Sequence, residues 1–515
     1  MNISKQIAEK LKKEKVETPA DLEDVKKQVA KKYGVSFPTN ISILREYRQL
    51  GGGNSKVLSL LKTRPVRSLS GVVNVSVLTK PYECPGECTY CPEEEGFPKS
   101  YLQNEPAVMR AVLNNYEPDK QVKMRLRALD DAGHPTDKIE IRVVGGTWSY
   151  YPPEYREMFI KKCFDACNGE DSASLEEAQK KNELSNHRIV CLSIETRPDY
   201  VDYREVESLR TLGVTMVEMG VQSLSDDVLR LTKRGHQVEQ TIRATEMLKD
   251  AGFKVCYQVM PNLPGSNLKQ DQEMFKKLFD CPSFRPDFLK IYPCLVLENS
   301  ELYEQWQKGE YCPYTNEELI ELLVDVKKNI IPRYTRIQRL FRDVPVPDIK
   351  AGCKTSNLRE EFARHGKEHQ WRCQCIRCRE VKGESFTPED VVLYREDYNA
   401  SNGKEVFISY ENKDRSKLYA LLRLRITQKW SLPSLERCVL VREIRTYGQQ
   451  VSLQGSNKEA TQHRGLGKRL IKEAERIAKE EFGVSTLAVI SGVGVRDYWK
   501  KQGYFLKDTY MFKDL

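Results

Sequence analysis

Between residues 70 and 295 the chain alternates six times between a short strand-like segment and a longer helix-like one, and this pattern restricts the fold most. Apolar runs bounded by turn residues predict the strands, and apolar residues three and four apart predict helices such as 203–212 and 238–251. Six such units predict an α/β fold with a parallel sheet, either an open or partial (β/α)6 TIM-like barrel or a doubly wound sheet. The predicted strands are 71–78, 139–144, 188–194, 214–220, 253–260 and 287–292.

The regions on either side of this segment have other patterns. Residues 1–65 are typical of two lysine-rich helices and a linker, and residues 296–387, rich in Arg, Cys and Pro, of a connector. Residues 388–515 combine predicted strands at 418–426, 437–447 and 485–490 with an amphipathic helix at 467–482, which indicates a compact α+β domain. We therefore divide the chain into regions 1–65, 66–295, 296–387 and 388–515.

Composition excludes several classes of protein. Hydrophobic residues make up 39% and charged residues 30% of the chain, and no run of about eighteen apolar residues occurs, so no membrane span is predicted. The N-terminal residues lack the apolar segment of a secretory signal, which predicts a cytoplasmic protein. In a reducing compartment the 15 cysteines are expected to serve as metal ligands or buried thiols rather than disulfides.

Basic residues are concentrated near the N-terminus. Residues 1–80 contain 16 Lys and Arg against 7 Asp and Glu, an excess equal to the net charge of the whole chain, +9. Such a block is typical of a nucleic-acid-binding surface, although a solvated lysine-rich helix face explains it equally well. Arginines three apart, at Arg333, Arg336, Arg339 and Arg342, are further candidates for phosphate contacts, or else form a solvated helix face.

A cysteine loop follows the first predicted strand. Cys84, Cys88 and Cys91 have the spacing C-x3-C-x2-C, and three thiolates can bind three irons of a four-iron, four-sulfur cluster. The fourth iron would then be open to S-adenosylmethionine (SAM), and the spacing resembles that of the radical SAM superfamily. A structural zinc loop is the alternative, but zinc prefers four protein ligands, and no second cysteine pair is close in sequence.

Polar residues stand at the ends of the next four predicted strands. The carboxyl ends of parallel strands meet at one mouth of a barrel, so these side chains are expected to converge. Paired glycines let a ligand approach the backbone closely, and in radical SAM enzymes a Gly-Gly pair at this place meets the SAM amino group. The predicted SAM site comprises Gly145, Gly146, Thr147, Glu195, Arg197, Glu218, Gln222 and Gln258.

A second cysteine cluster lies in the connector. Cys373, Cys375 and Cys378 have the spacing C-x-C-x2-C, which suits a structural zinc ion. The fourth ligand is open: Cys312 is the first choice, and Cys353, His365 and His369 are alternatives. Three unligated thiols, or a second iron–sulfur cluster, are the competing interpretations.

A glycine-rich turn opens the predicted helix of the C-terminal domain. Gln462 to Gly467 reads Q-H-R-G-L-G, which resembles the Q/R-x-x-G-x-G/A pattern of GNAT acetyltransferases. The free N–H groups and the dipole at a helix N-terminus favour an anion, here the pyrophosphate of coenzyme A. A turn that merely starts a helix is the alternative, but the segment from Ser491 through Tyr498 and Trp499 to Tyr504 is a second GNAT-like feature.

The two patterns together resemble the family of the Elongator catalytic subunit, the tRNA uridine(34) acetyltransferases, in a stand-alone archaeal-like form. The likeness extends over nearly the whole chain. The segments that carry it are the cysteine loop and residues 64–72, 145–148, 193–199, 289–293 and 465–467.

This resemblance implies a radical mechanism on tRNA. A reduced cluster cleaves SAM to a 5′-deoxyadenosyl radical, which takes a hydrogen from the methyl group of acetyl-CoA. The carbon radical adds to carbon 5 of the wobble uridine, and hydrolysis of the thioester leaves a carboxymethyl group. The resemblance leaves a homodimer open and does not identify accessory Elongator subunits.

The resemblance also assigns roles to individual residues. Lys138 and Lys290 would line the path between the two cofactors, and Lys290 and Tyr498 would be catalytic. The basic N-terminal block and the arginine run, rather than the resemblance, supply the residues expected to contact tRNA: Arg64, Arg67, Arg333, Arg336 and Arg339. Those expected to bind acetyl-CoA are Lys138, Glu443, Ile444, Arg445, Thr446, His463, Arg464, Gly465, Leu466, Gly467 and Tyr498.

Two other functions compete with this hypothesis. The first is a protein lysine acetyltransferase, with the radical domain as a scaffold and Glu443 as the general base that such a reaction needs. The second is a non-catalytic tRNA-binding subunit. The intact three-cysteine loop argues against the first, and the complete motifs in both domains argue against the second.

Overall fold

The N-terminal region is a helical unit with its own core. The structure, a computed structural model, describes residues 2–65, 68–69, 71–355, 357–382, 388–448 and 465–515. The expectation of two helices is wrong, because short polar turns divide the region into four. Their buried apolar faces meet in one cluster that includes Ile7, Val25 and Tyr47. The helices are α1 (Ile3–Lys13), α2 (Pro19–Tyr33), α3 (Asn40–Gln49) and α4 (Ser55–Leu61).

The six predicted strands all form, and all pair in parallel. Each is followed by one or more helices, as the alternation predicted. In chain order the elements are β1 (Val73–Leu78), α5 (Pro106–Leu113), α6 (Pro118–Asp131), β2 (Lys138–Val144), α7 (Pro153–Asn168), α8 (Leu175–Asn182), β3 (Arg188–Thr196), α9 (Tyr203–Thr211), β4 (Met216–Gln222), α10 (Asp226–Leu231), α11 (Val238–Asp250), β5 (Lys254–Val259), α12 (Leu268–Asp280) and β6 (Phe288–Ile291).

The connector adds a seventh strand that sequence analysis missed. Its elements are β7 (Val296–Leu297), α13 (Glu301–Gln307), α14 (Asn316–Asp325), β8 (Arg336–Arg339), β9 (Ile349–Ala351), α15 (Leu358–Glu368) and α16 (Ile376–Arg379). β8 pairs in parallel with β6, and the sheet runs β1-β2-β3-β4-β5-β6-β8 without reversal. A doubly wound sheet reverses its strand order at a switch point, so the fold is a partial barrel.

The concave face of this sheet is polar, whereas an ordinary TIM barrel is filled by layers of branched apolar side chains. On β2, Lys138, Glu140 and Arg142 alternate with Ile139 and Ile141, which are fully buried among the surrounding helices. Period-two alternation sends these two sets to opposite faces. We call the space enclosed by the concave face the lumen. Side chains that line it include Ser76, Glu140, Arg142, Cys191, Glu195, Met216, Lys254, Gln258, Phe288 and Lys290.

In its described residues, the C-terminal domain is a mixed sheet with helices α17 and α18. Its expected strands and helix all form, and a preceding hairpin, β10–β11, was not predicted. The sheet order is β10-β11-β12-β13-β14-β16-β15, with β13 and β14 parallel. The elements are β10 (Val391–Ala400), β11 (Gly403–Asn412), β12 (Leu418–Ile426), β13 (Val439–Thr446), α17 (Leu466–Arg476), β14 (Thr486–Val489), α18 (Arg496–Lys500), β15 (Phe505–Lys507) and β16 (Tyr510–Asp514).

This domain is docked on the amino ends of the barrel strands, opposite the cysteine loop. Gly492 lies so close to Val190, near the start of β3, that a Cβ there would overlap its carbonyl group. The Tyr510 hydroxyl donates to the carbonyl of Ala251, just before β5, at 2.7 Å. One hydrophobic core cluster contains residues of both parts. The barrel and the C-terminal domain therefore pack as one body.

Ion pairs reinforce this interface. Arg442 donates to Asp287 at 3.0 Å and to Glu405 at 2.9 Å, and Arg425 donates to Asp250 at 2.7 Å. We call this group the interface ion network. Its members, all buried, are Lys249, Asp250 and Asp287 from the barrel and Glu405, Arg423, Arg425 and Arg442 from the C-terminal domain. Within the described residues no helix has the length and apolar character needed to cross a bilayer.

Candidate functional site

One cavity of about 2,580 Å³ connects the cysteine loop with the C-terminal domain. The thiols of Cys84, Cys88 and Cys91 line it at the carboxyl ends of the barrel strands. Tyr498 and the residues that open α17 line it at the other end. The two sites that the sequence predicted separately therefore share one space.

The three thiols form a donor set that fits a cluster with one open iron. Cys88 is buried, while Cys84 and Cys91 are half-buried. Arg234 donates to the Cys88 sulfur at 3.5 Å. A hydrogen bond from Cys91, together with the charge of Arg234, lowers the pKa of the Cys88 thiol to about 4 despite its burial. The same hydrogen bond, together with burial, raises the pKa of the Cys91 thiol. Three cysteine sulfurs in one loop are nevertheless the donor set of an iron–sulfur cluster with one open iron.

Buried polar groups without a partner face the same mouth. Arg197 pairs with Asp199 through Nη2 and Oδ2 at 2.7 Å, but its Nη1 has no hydrogen-bond partner among the described residues. That nitrogen lies beside Gly86, where a Cβ would overlap it. The Gln222 side-chain oxygen is likewise buried without a partner in the described part of the chain. Such groups are expected where a polar ligand binds, so the predicted SAM site fits these residues.

The two glycines after β2 have different roles. Gly145 (φ 129°) leaves room for Thr79, whose hydroxyl a Cβ would overlap. Gly146 (φ 116°) and Thr147 line the cavity, and a Cβ at Gly146 would meet open space. Gly145 is therefore needed for packing and Gly146 for access to the cavity.

A cluster of charged side chains, centred on Lys290, lies in the lumen near this mouth. The Lys290 ammonium is ion-paired with Glu218 and lies 3.0 Å from Glu195 Oε1. Glu195 also accepts hydrogen bonds from Gln258 and Tyr101, each at 3.0 Å. Burial lowers the pKa of Lys290, but the surrounding negative charge, above all that of Glu218, outweighs burial and raises this pKa well above its usual value. Lys290 is thus a fixed positive charge.

Some residues of the site were missed by sequence reasoning. Tyr101 and Arg234 lie in irregular segments, where no periodic pattern marks them. Arg142, which donates to Glu140 at 2.7 Å, could have been found from the alternation of charged and apolar residues along β2.

The residues predicted to bind acetyl-CoA, as far as the structure describes them, lie together at the end of the cavity away from the cysteine loop. Gly465 (φ 77°) precedes the first turn of α17. A Cβ on Gly467 would lie 3.5 Å from the Tyr498 hydroxyl and 3.8 Å from the Thr446 hydroxyl. Glu443, Ile444, Arg445, Leu466 and Lys138 line the same cavity, whereas His463 and Arg464 fall outside the described residues.

The proposed general base of a lysine acetyltransferase is engaged elsewhere. Glu443 Oε2 accepts a hydrogen bond from Arg423 Nε at 2.9 Å, within an ion pair at the barrel interface. This contact does not favour Glu443 as a proton acceptor.

The second cysteine cluster is a compact group of thiols. The sulfurs of Cys373, Cys375 and Cys378 all lie within 4.8 Å of one another, as a metal site requires. Cys312 is not in this group: it is exposed, and its thiol lies 3.7 Å from the carbonyl of the adjacent Pro313. The Lys327 ammonium lies 3.9 Å from the Cys378 sulfur.

The arginine run does not form a helix face. Arg336 and Arg339 belong to strand β8, so the helical alternative is wrong. Arg336 is buried and bonded to Glu380 at 2.7 Å, while Arg339 is bonded to the exposed Asp343 at 2.9 Å. Arg333 donates to the backbone carbonyl of Arg415 at 3.1 Å. Arg64 is exposed, and Arg67 lies outside the described residues.

Comparison with known proteins adds a family context. Sequence profiles of three domain families match successive parts of the chain. They are the ELP3 N-terminal domain at residues 1–69, the radical SAM superfamily at 80–278 and the radical SAM C-terminal domain at 286–365.

Similar proteins match along nearly their whole length. The chain is 46% identical over 497 residues to the tRNA uridine(34) acetyltransferase of Methanocaldococcus jannaschii, covering 94% of this chain and 91% of that protein. It is 39% identical over 519 residues to human Elongator complex protein 3, covering 96% and 93%. The structure of Methanocaldococcus infernus Elp3 lacking residues 1–46 superposes with a TM-score of 0.78 at 44% identity, covering 87% of this chain and 100% of that one.

Proposed function

The chain belongs to the family of the tRNA uridine(34) acetyltransferases and Elongator complex protein 3, and from this premise we propose how its two halves act together. It is a radical SAM enzyme that modifies the wobble uridine of tRNA. The product we propose is a 5-carboxymethyl group derived from acetyl-CoA. The observation that carries the proposal is the single cavity lined by the cysteine thiols and by the residues that open α17.

The upper end of the cavity would hold the radical source. Cys84, Cys88 and Cys91 would bind a four-iron, four-sulfur cluster, and Gly146, Arg197 and the other strand-end residues would bind SAM. When bound, this pair supplies a 5′-deoxyadenosyl radical. Arg234 donates a hydrogen bond to the sulfur of Cys88, and the fixed charge of Lys290 orders Glu195 within the site.

The lower end would hold acetyl-CoA. The unpaired N–H groups at the start of α17 are suited to the pyrophosphate, since the helix dipole favours negative charge there. Thr446, Gly467 and Tyr498 surround this point. Tyr498 and, at the rim of the lumen, Lys138 would contact the coenzyme.

The cysteine group of the connector would bind a structural zinc ion. Three sulfurs within 4.8 Å supply three of the four ligands of a tetrahedral site. Next to these thiols, the backbone N–H of Ile376 donates to the carbonyl of Thr335 and Arg379 donates to the carbonyl of Arg333, both just before β8, and these bonds hold the connector on the barrel. A cytoplasmic location fits this proposal, because a reducing compartment keeps cysteine thiols available as metal ligands.

The origin of the abstracted hydrogen tests the proposed function. With acetyl-CoA deuterated at the methyl group, we expect deuterium in 5′-deoxyadenosine, and we expect tRNA to stimulate the transfer, because an enclosed site protects a radical from side reactions. Gly465→Glu should abolish the transfer by placing a negative charge where the pyrophosphate binds. Mass spectrometry of the nucleoside and of the wobble uridine measures both products.

A matched variant separates charge from backbone strain. Gly483 lies just beyond the other end of the same helical segment with a similar left-handed backbone (φ 65°), and a Cβ there meets nothing within 4 Å. Gly483→Glu should therefore retain the transfer. If deuterium stays in the acetyl group while acetylated lysine forms at full rate in Cys91→Ala protein, the enzyme is a protein acetyltransferase instead.

The N-terminal helices are the proposed tRNA-binding surface. Removing residues 1–65 should weaken binding across tRNA sequences and reduce the slope of log K against log salt by about 0.7–0.9 for each phosphate that these helices neutralise. Lys269→Ala with Lys276→Ala, two exposed lysines on α12, is the control and should leave the slope unchanged. An unaltered slope after the deletion would remove these helices from the binding surface.

A further inference from the structure

We propose that an aromatic surface beside the cysteine loop binds the tRNA base next to the wobble uridine by stacking. Three tyrosine rings come together there, one from each of three neighbouring strand ends: Tyr82 follows β1, Tyr150 follows β2 and Tyr200 follows β3. We call these three rings the tyrosine platform. The proposal rests on the proposed function, which brings the wobble uridine to the same mouth of the barrel, and it names a contact for the neighbouring nucleotide.

A buried ring supports the platform. Tyr82 stacks on Tyr151, with ring centroids 4.9 Å apart and planes at 29°, and Tyr151 stacks in turn on Tyr155 at 5.1 Å. The hydroxyl of Tyr151 lies 2.9 Å from that of Thr79 and donates to the carbonyl of Lys80 at 2.8 Å. The Tyr82 ring is therefore held in one orientation before any ligand arrives, which lowers the entropy cost of binding.

The platform rings are accessible, unlike the ring that supports them. Tyr82 is 39% exposed, and Tyr150 and Tyr200 are half-buried, whereas Tyr151 is only 4% exposed. The ring centroids of Tyr82 and Tyr150 are 5.9 Å apart, and those of Tyr150 and Tyr200 are 5.6 Å apart. Exposed aromatic rings that lie together, rather than singly, are typical of a binding surface.

The platform lies next to the mouth of the cavity. Tyr82 precedes Cys84 by two residues, and the Arg197 guanidinium lies over the Tyr200 ring, 5.8 Å from its centroid. The same guanidinium is in contact range of Gly86 in the cysteine loop. A base on the platform is therefore adjacent to one that enters the cavity.

The proposed reaction leaves a neighbouring base without a stacking partner. A base that undergoes chemistry in an enclosed site must first leave its stack, and the proposed radical site lies inside the cavity that the cysteine thiols line. Each base beside the wobble uridine then loses one stacked neighbour. Aromatic side chains commonly replace that neighbour in RNA recognition, so the occupant of the platform is an unstacked base.

Charges around the platform favour one path for the RNA backbone. Lys80 is exposed, and its ammonium lies 4.9 Å from the centroid of the Tyr155 ring, beside the platform. Glu83 and Glu87, in the cysteine loop, are exposed carboxylates that would repel a phosphate. We therefore expect the base to stack on Tyr82 with its phosphate toward Lys80.

Replacing two platform rings by alanine tests the proposal. The RNA is an anticodon stem-loop with 2-aminopurine at one of the two positions beside the wobble uridine, and the protein is the full chain. Tyr82→Ala and Tyr150→Ala should each weaken binding of the stem-loop about tenfold, the size expected for loss of one stacked base. At one of the two positions 2-aminopurine should be more fluorescent in these complexes than in the wild-type complex. Tyr82→Phe keeps the ring and should behave like the wild type.

Two controls separate stacking from other contacts. Tyr203 is 62% exposed on α9 and lies outside the platform, so Tyr203→Ala should keep the wild-type affinity. A blunt duplex of the stem alone has no unstacked base and should bind equally to all these proteins. Stacking releases no counterions, so the slope of log K against log salt should be unchanged in the two tyrosine-to-alanine platform variants, whereas Lys80→Ala should reduce it by about 0.7.

Iron content and urea unfolding show whether each variant is folded with an intact cysteine loop, and the two alanine variants lie in different segments, so either can decide the test. Wild-type affinity and fluorescence in a folded alanine variant would overturn the platform. An equal loss in Tyr82→Phe would also overturn it, because the ring would then not be the contact. These measurements need no chemistry, so a wild type that transfers no deuterium would reject the proposed reaction while binding still decides the platform.

Discussion

An alanine in place of Cys88 is expected to abolish both iron–sulfur cluster binding and SAM cleavage. Cys88 is the buried member of the three-thiol set, and its sulfur accepts a hydrogen bond from Arg234 at 3.5 Å. Without this thiolate only two ligands remain, whereas a cluster with one open iron needs three. Anaerobically reconstituted wild-type protein should hold about four irons with a sulfur-to-iron charge-transfer band, and the variant should lack the band.

Cys281→Ala is the matched control. Cys281 is half-buried at the end of α12 and lies outside both cysteine clusters, so this variant should keep wild-type iron content and SAM cleavage. Iron analysis, absorption spectra and formation of 5′-deoxyadenosine measure the outcome. Full iron content together with full SAM cleavage in the Cys88→Ala protein would show that the cysteine loop is not the cluster site.

Replacing Asp287 by asparagine should destabilise the whole body formed by the barrel and the C-terminal domain. Asp287 is fully buried and accepts hydrogen bonds from Arg442 and from the backbone N–H of Val255. Removing its charge leaves Lys249, Arg423 and Arg442 poorly compensated. Breaking a buried ion pair at one partner costs about 3–5 kcal/mol, and we expect a loss of this size in the free energy of unfolding by urea at pH 7.

The pH dependence of this loss has a definite sign. Burial raises the pKa of Asp287, but the charges of Arg442, Lys249 and Arg423 outweigh it and hold this pKa well below its usual range. A lowered pKa adds stability above the unfolded value of about 3.9, and that stability is lost as the pH falls toward the folded value. The difference between wild type and variant should therefore be constant near neutrality and shrink below about pH 4.

Asp227→Asn makes the same chemical change on the surface. Asp227 pairs with Arg230 at 2.7 Å, with both side chains more than three-quarters exposed. Exposed pairs contribute about 0–1 kcal/mol, so this control should unfold almost like the wild type. Equal stability of the two variants would contradict the role given to the interface ion network.

Local patterns in the sequence predicted much of the molecule correctly. Short apolar runs and turn residues predicted six of the seven strands in the barrel sheet, because strand formation is encoded within a few neighbouring residues. The spacing of Cys84, Cys88 and Cys91 is likewise local and predicts a ligand set by itself. The turn at Gly465 and Gly467 marked the start of α17 because a helix N-terminus carries its own signal.

The tertiary structure decided what depends on residues far apart in the chain. Asp287 and Arg442 are 155 positions apart, and no local pattern marks either as the partner of the other. β8 lies in the connector and joins the barrel because its backbone pairs with β6. Its sequence is too short to predict this pairing. The polar lumen exists only once seven strands curve together, so the connection between the two predicted sites follows from the packing of whole elements and not from any motif.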